Sequence, residues 1–382
     1  MTSTPIRLLH VITGLNTGGA ETMLLKILQG MDRGRFSSTV LSLTDEGQIG
    51  PRISELGFRV ETLGMRRRLP DPFSFLSLVH KMRRIRPHVV QTWLYHADLL
   101  GCLASRMAGQ PPVAWNLRCS YMGADYYRGM SGLVIRSLAR LSDLPAAVVY
   151  NSEAGRALHV SLGYEPQRWV LIPNGFDTQQ MHPDPDARRR IRGEIGVAND
   201  APLVGMVARF DTVKGHDTFL AAAGRLLRSR PEAKFLLVGA GCTTDNAELR
   251  RMMPKAIQDA VILLGERRDI PDVNAAIDVA TCASIGEGFP NVVGEAMACG
   301  VPVVTTDVGD CAEIVDDMGR VVPPQDSEAM ANAWNEILSL PAAAHTRLSM
   351  AARARINESY ALNDVVVRYE QLYGELAGAT SS

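Results

Sequence analysis

Eleven short runs rich in Val, Ile and Leu recur along the chain, each followed by a segment long enough for a helix. They are IRLLHVI (6–12), STVLSL (38–43), HVVQTW (88–93), PVAWNL (112–117), AAVVYN (146–151) and WVLIP (169–173), then LVGMVAR (203–209), KFLLVG (234–239), VILLG (261–265), VATCA (279–283) and VPVVTT (301–306). A strand that is apolar on both faces needs cover on both faces, so the pattern predicts parallel sheets between layers of helix. Helices are expected at 20–31, 98–109, 217–230 and 328–338. Each half also opens alike, with a strand, a glycine-containing turn and a helix: VITGLNTGGAETMLLKIL, and later VARFDTVKGHDTFLAAAGRLL. Two doubly wound, Rossmann-like α/β domains follow, with ligands expected beyond the carboxyl ends of their strands.

At 382 residues, 46% hydrophobic and 21% charged, the chain has material for two such cores. The Pro-, Asp- and Arg-rich stretch IPNGFDTQQMHPDPDARRRIRGEIG (172–196) marks the boundary. The expected domains are therefore 1–172 and 173–360, and the small polar tail after Gly378 is expected to be disordered. Charge is divided unequally: residues 1–172 carry 20 Lys and Arg against 12 Asp and Glu, and residues 173–382 carry 20 against 29. The basic excess gathers at Arg66-Arg67-Arg68 and at Lys81, Arg83, Arg84 and Arg86, a solvated face or a surface for anionic headgroups or a phosphorylated acceptor. Nothing here points to nucleic acid. The six cysteines lie scattered without a CxxC pair, which argues against a zinc site and a disulfide framework and fits a cytoplasmic protein. No apolar stretch reaches the roughly 18 residues of a membrane span.

Three stretches could carry chemistry. In GLNTGGAE (14–21), Gly18 and Gly19 lie between a strand and a helix, where free N–H groups can face an anion or simply close a tight turn. In ARFDTVKG (208–215), Arg209 and Lys214 flank a loop directly after a strand, where two cations can neutralise a diphosphate. In SIGEGFPNVVGEAMACGVPVV, Pro290 suits the first helical turn and Gly300 the position just past the end, so a helix is expected over about 290–299, which places Glu287 on the loop before it and Glu295 more than a turn inside. A nucleotide sugar suits this layout. Its phosphates would take the helix start at 288–292 (Gly288, Phe289, Pro290, Asn291 and Val292), and the carboxylates would accept hydrogen bonds from sugar hydroxyls, each such charged bond contributing about 1.5–3 kcal/mol. Asp184-Pro185-Asp186 has the letters of a DxD metal motif but lies in the proline-rich boundary, so no metal and no cofactor is expected.

EGFPNVVGE (287–295) resembles the E-x7-E motif of the family 4 (group 1) glycosyltransferases, retaining enzymes of the GT-B fold. VARFDTVKGHDTFL resembles that family's Arg…Lys-Gly segment, and IPNGFD its entry to the second domain. SYALNDVVVRYEQLYGEL (359–376) looks like the helices that cross back, so the helix at 361–378 is expected on the first domain. The resemblance spans essentially the whole chain and implies two Rossmann-like domains with a cleft between them. It implies that Arg209 and Lys214 bind the donor diphosphate and stabilise the leaving group. Glu287, with the backbone of Gly288, Phe289, Pro290 and Asn291, would meet the donor sugar, and Glu295 the ribose. Backbone around Arg267 and Arg268 would meet the base, and Gly18 and Gly19 would lie beneath the donor. UDP is favoured as the base by its frequency in the family. Where relatives end the strand at 113–119 with a histidine, this chain reads AWNLRCS, with Cys119 in that place; Arg118 and His96 are then the acceptor-side candidates, His96 equally a helix cap.

The expected activity is transfer of a hexose or N-acetylhexosamine from a nucleoside-diphosphate sugar to a glycan or lipid-linked glycan acceptor in surface polysaccharide synthesis, in the cytoplasm or peripherally on an anionic membrane. The rivals are a GT-B-fold nucleotide-sugar 2-epimerase and a binding subunit whose centre has decayed. A Rossmann dehydrogenase is disfavoured because no GxGxxG opens the first unit.

Overall fold

A computed structural model describes residues 4–65, 72–118 and 129–378. The clusters at Arg66–Arg68 and the substituted position Cys119 lie outside the described residues, as does the tail beyond Gly378. The chain divides into two compact units, Met1–Gly175 with Leu362–Ser382, and Phe176–Ala361.

The first unit holds seven parallel strands: β1 (Ile6–Ile12), β2 (Phe36–Ser42), β3 (Arg59–Thr62), β4 (Val89–Trp93), β5 (Val113–Leu117), β6 (Ala147–Tyr150) and β7 (Trp169–Leu171). Their order is β3-β2-β1-β4-β5-β6-β7. The second unit holds β8 (Leu203–Val207), β9 (Lys234–Val238), β10 (Val261–Gly265), β11 (Val279–Cys282), β12 (Val303–Thr306) and β13 (Gly319–Val322), in the order β10-β9-β8-β11-β12-β13. Both sheets are therefore doubly wound, and each reverses direction once, between β1 and β4 and between β8 and β11. Beyond the carboxyl ends of those pairs a crevice must open, because the loops leave to opposite faces.

Burial explains the order. β1 and β4 are central and almost wholly buried, whereas β3 and β13, at the sheet edges, are only partly so. The helix Gly19–Gly30 turns Met23, Leu24, Ile27 and Leu28 into the core of the first unit. The C-terminal helix Leu362–Gly378 adds Val365, Tyr369, Leu372 and Tyr373 to the same core. Full burial of side chains of this size contributes about 1.5–3 kcal/mol each. Glu370, itself buried, fixes that helix by accepting from the Asp32 amide at 2.7 Å and pairing with Arg35 at 3.2 Å.

In the boundary stretch, Asp184 is a helix cap. Its carboxylate accepts from the amides of Asp186 and Ala187 at 2.8 and 2.9 Å, which starts the helix Pro185–Glu194 and holds the carboxyl below its usual range.

Candidate functional site

The two loops that flank the β8/β11 crossover of the second unit are locked together. The loop after β8 runs from Ala208 to Gly215 and contains the 3-10 turn Thr212–Lys214. Asp211 starts that turn: one carboxylate oxygen accepts from the Val213 amide at 3.0 Å. Its other oxygen accepts from Arg209 Nε and Nη2 at 3.2 and 3.0 Å. The Val213 amide, then Arg209, holds the Asp211 carboxyl below its usual range. Arg209 is thus aimed by a neighbour yet 67% exposed, available to an anion. Gly215 ends the turn in the left-handed region, φ 70°, and an added Cβ would fall 2.0 Å from the Ala283 carbonyl oxygen. Only glycine lets this loop approach the one after β11 so closely.

The second loop runs from Ala283 to Pro290. The Ile285 amide donates to the Val213 carbonyl at 2.8 Å and ties it to the first. Lys214 Nζ lies 2.5 Å from Glu287 Oε1, and Ser284 Oγ donates to the same oxygen at 2.6 Å. Beneath them Thr306 Oγ1 donates to the Ser284 carbonyl at 2.6 Å, and the Asp310 amide donates to the Gly288 carbonyl at 2.9 Å. Phe289 is buried against Phe176 and Tyr360, with ring centroids 6.2 and 5.6 Å apart.

The helix that follows spans Asn291–Ala298. Pro290 stands at its N-cap rather than inside the first turn, and its own side chain makes no capping hydrogen bond. At the other end the amides of Gly300 and Val301 donate to the carbonyls of Met297 and Ala296, closing a Schellman motif around Gly300 at φ 72°. Val293, Gly294, Ala296, Met297 and Ala298 are buried, which leaves Asn291, Val292 and Glu295 on the open face. Glu295 is therefore presented outward by the helix, one turn from its positive end.

Arg267 and Arg268 follow β10 at the same edge of the sheet. The Arg267 guanidinium is engaged with Asp269, at 2.8 and 2.6 Å, and with Glu194, while Arg268 is exposed.

The first unit carries the other expected residues around its β1/β4 crossover. Gly18 is the N-cap of the helix Gly19–Gly30, and Glu21 folds its carboxylate back over it, 2.4 Å from where a Cβ would stand. Burial raises the Glu21 pKa. His96 is the second residue of the helix Tyr95–Met107, whose N-cap Leu94 has φ 72°, a strained value for leucine. His96 is half-buried, and that burial lowers its pKa. Arg118, just past β5, donates to Tyr369 OH at 2.8 Å and to Asn174, and lies 5.1 Å from the Trp93 ring centroid. Its guanidinium braces strands and the C-terminal helix of its own unit.

Sequence reasoning singled out Arg209, Lys214, Glu287 and Glu295, and they lie on adjacent elements of one crossover. It passed over Asp211 and Ser284, which aim Arg209 and Glu287. Their signal was local: Asp211 opens an Asp-Thr-Val turn, and Ser284 lies three residues before Glu287 on the same loop.

Residues 17–180 match the family described as Glycosyltransferase Family 4, and residues 201–339 the family described as Glycosyl transferases group 1. EpsF of Bacillus subtilis, which carries a glycosyltransferase name, is 30% identical over 359 residues, covering 90% of each chain. A GDP-mannose-dependent phosphatidylinositol monomannoside mannosyltransferase of Mycolicibacterium smegmatis is 29% identical, over 75% of this chain and 76% of that one. Among solved structures, Anabaena Alr3699/HepE in complex with UDP superposes with a TM-score of 0.85 at 24% identity, covering 97% of this chain and all (100%) of that one. The shared fold is GT-B.

Proposed function

This chain belongs to the group 1, family 4 glycosyltransferases, and from that premise we propose that it moves a hexose or N-acetylhexosamine from a nucleoside-diphosphate sugar to a glycan or lipid-linked glycan acceptor, with retention at the anomeric carbon. One observation carries the donor assignment: the Lys214–Glu287 pair, with Arg209 on the loop of Lys214, stands beside the start of the helix Asn291–Ala298, whose N-cap is a proline. A departing diphosphate gains negative charge as the glycosidic bond breaks. Cations held against the diphosphate when that bond breaks lower the barrier. Arg209 and Lys214 take this role, Glu287 and the backbone of Gly288–Asn291 hold the sugar, and Glu295 accepts from the ribose. Val292 shares the open face with Glu295, and backbone at Arg267 and Arg268 meets the base. Gly18 and Gly19 are proposed donor contacts of the first unit, and His96 and Arg118 its acceptor-side residues.

The named relatives do not agree on a base: the mycobacterial one takes GDP-mannose by its name, while HepE holds UDP. Uridine is kept as the proposal to be tested. The mycobacterial relative's name also supports a lipid-linked acceptor here. Among the described residues no helix is long and apolar enough to cross a membrane, so contact with a bilayer would be peripheral.

A thermal-shift panel of UDP, GDP, ADP and their sugar conjugates, on wild type and Glu295→Ala with and without EDTA, tests the donor reading. A ligand at 100 times its dissociation constant stabilises by about 2.7 kcal/mol. A shift with one base, lost in Glu295→Ala and indifferent to EDTA, supports a metal-independent transferase using that base. No shift with any of them sinks the reading.

A further inference from the structure

Two side chains converge on one oxygen of the Glu287 carboxylate. Lys214 Nζ and Ser284 Oγ both reach Oε1, at 2.5 and 2.6 Å. If Lys214 serves the donor diphosphate and Glu287 the donor sugar, as proposed above, the two groups that must meet the donor also pair with each other. We infer that Ser284 is a positioning residue, which holds Glu287 in place while Lys214 exchanges that carboxylate for the donor's diphosphate; this rests on the donor reading.

The geometry favours an exchange of side chains over a movement of loops. The backbones are pinned by the Ile285-to-Val213 hydrogen bond and by the close approach of Gly215 to Ala283. Lys214 ends a long flexible chain with three donors, so its ammonium can turn from one anion to another while its Cα stays fixed. Glu287 has a shorter reach. Its side chain is 13% exposed and that of Lys214 23%, so water compensates only partly when the ion pair parts. A carboxylate losing its cation in such a place needs a donor that does not leave with it.

Ser284 meets that need. It is 1% exposed, and Thr306 anchors its carbonyl. Cys282 Sγ donates to Ser284 Oγ at 3.6 Å, which leaves the serine's own proton directed at Glu287. After the exchange Glu287 still has one fixed donor on Oε1, and its orientation toward the sugar hydroxyls is kept.

Calorimetric titration of the full chain with UDP, GDP, UDP-glucose, UDP-N-acetylglucosamine and GDP-mannose tests this without an acceptor. The readout is how much tighter the sugar nucleotide binds than its bare diphosphate. Ser284→Ala should leave bare-diphosphate affinity within about twofold, which also shows that the variant folds, and weaken the sugar nucleotide at least about fivefold. Ser284→Thr, which keeps the hydroxyl, should recover most of that loss. In a Glu287→Ala background, Ser284→Ala should change neither affinity by more than about twofold, because a residue acting through Glu287 has nothing left to position. Unchanged sugar-nucleotide affinity in Ser284→Ala overturns the inference. So does an equal loss in the Glu287→Ala background, which would make Ser284 merely structural. A wild type that binds none of the five overturns the donor reading, and this inference with it.

Discussion

The ring of Phe176 fills the space where Gly294 would carry a side chain: an added Cβ would lie 2.1 Å from the ring's Cζ. Phe176 is 1% exposed and begins the second unit, while Gly294 sits next to Glu295 in the middle of the helix Asn291–Ala298. A glycine inside a helix normally costs about 1 kcal/mol relative to alanine. Here the ring seat outweighs that. Gly294→Ala is expected to destabilise by about 1–3 kcal/mol through overpacking, despite its better helix propensity. Because the displaced helix carries Glu295, nucleotide affinity should fall as well. Urea denaturation and nucleotide titration check the two effects separately; a more stable variant with intact affinity would refute the packing account.

Arg209 gives the opposite profile. Its side chain is mostly exposed and touches only Asp211 among the contacts of its loop described above. Arg209→Ala should therefore alter stability by no more than about 0.5 kcal/mol. If it stabilises the leaving diphosphate, donor turnover should drop by about 10²–10³. Asp211→Ala should lose part of that activity, and some stability through its missing turn cap. Melting curves and release of nucleoside diphosphate from the sugar nucleotide provide both readouts. Normal turnover in Arg209→Ala would remove it from the proposed machinery.

Three of the titratable groups buried in the first unit have pH effects that oppose one another. Burial lowers the His10 pKa from 6.5 to about 3. Burial likewise lowers that of His159 to about 4, with its Nδ1 donating to the Gly155 carbonyl and Tyr95 OH donating to its Nε2. The unfolded chain protonates both near 6.5, well before the folded one does. Stability present above that pH is thus lost as pH falls toward 4 and 3. Asp98 runs the other way: burial raises its pKa from 3.8 to about 8, although Thr92 Oγ1 donates to it at 2.5 Å. The unfolded chain ionises Asp98 near 3.8 while the folded one keeps its proton, so stability is lost as pH rises from about 4 to 8. Between pH 4 and 6.5 the two histidines outweigh one aspartate; between 6.5 and 8 Asp98 acts alone. Together these three groups place maximum stability near pH 6.5, with an alkaline slope of up to about 1.4 kcal/mol per pH unit; His96, whose pKa burial also lowers, steepens the acid side. Asp98→Asn should flatten the alkaline limb and steepen the acid one. An unchanged alkaline limb in denaturation curves would contradict a buried, protonated Asp98.

Much of this architecture was legible because β-strands buried on both faces leave a strong apolar signal, and all eleven runs became strands. The two that escaped, β3 with RVET and β13 with GRVV, are edge strands, which need fewer apolar residues because one side of the ladder faces away from the sheet. The helix expected from residue 98 begins at Tyr95 instead. Aspartate there reads as a cap, but Asp98 points inward to Thr92 and leaves the start to the strained Leu94. The part played by Arg118 was hidden for a different reason. Its partners Asn174 and Tyr369 lie 56 and 251 residues away, and no local pattern announces such a contact. Motif spacing located Glu287 and Lys214, whereas their sharing of one oxygen with Ser284 emerges only from the folded loops.

The basic cluster of the first unit is less free than its letters suggested. Buried Glu61 pairs with Arg59, Lys81 and Arg84, whose charges outweigh its burial and hold its carboxyl below the usual range. What remains is a mixed surface on three neighbouring helices, Pro72–Ile85, Tyr95–Met107 and Gly129–Arg140. Phe73, Leu76, Leu103, Met107 and Leu133 are exposed there, and Arg83, Arg106, Arg136 and Arg140 are exposed on the same helices. Apolar side chains beside arginines suit the interface of an anionic bilayer, where each cation contributes about 1 kcal/mol. If the acceptor is lipid-linked, flotation with phosphatidylglycerol vesicles should capture the wild type, and phosphatidylcholine vesicles should capture much less. Phe73→Ser with Leu76→Ser should weaken capture at every salt concentration. Arg106→Glu with Arg136→Glu should weaken it about tenfold or more at low salt, with a smaller effect at 1 M salt, where the screening length shrinks to about 3 Å. Neither pair touches the residues assigned to the donor, so nucleotide affinity should hold in both. Equal capture of wild type and both variants would detach this face from the membrane and direct the search toward a soluble glycan acceptor.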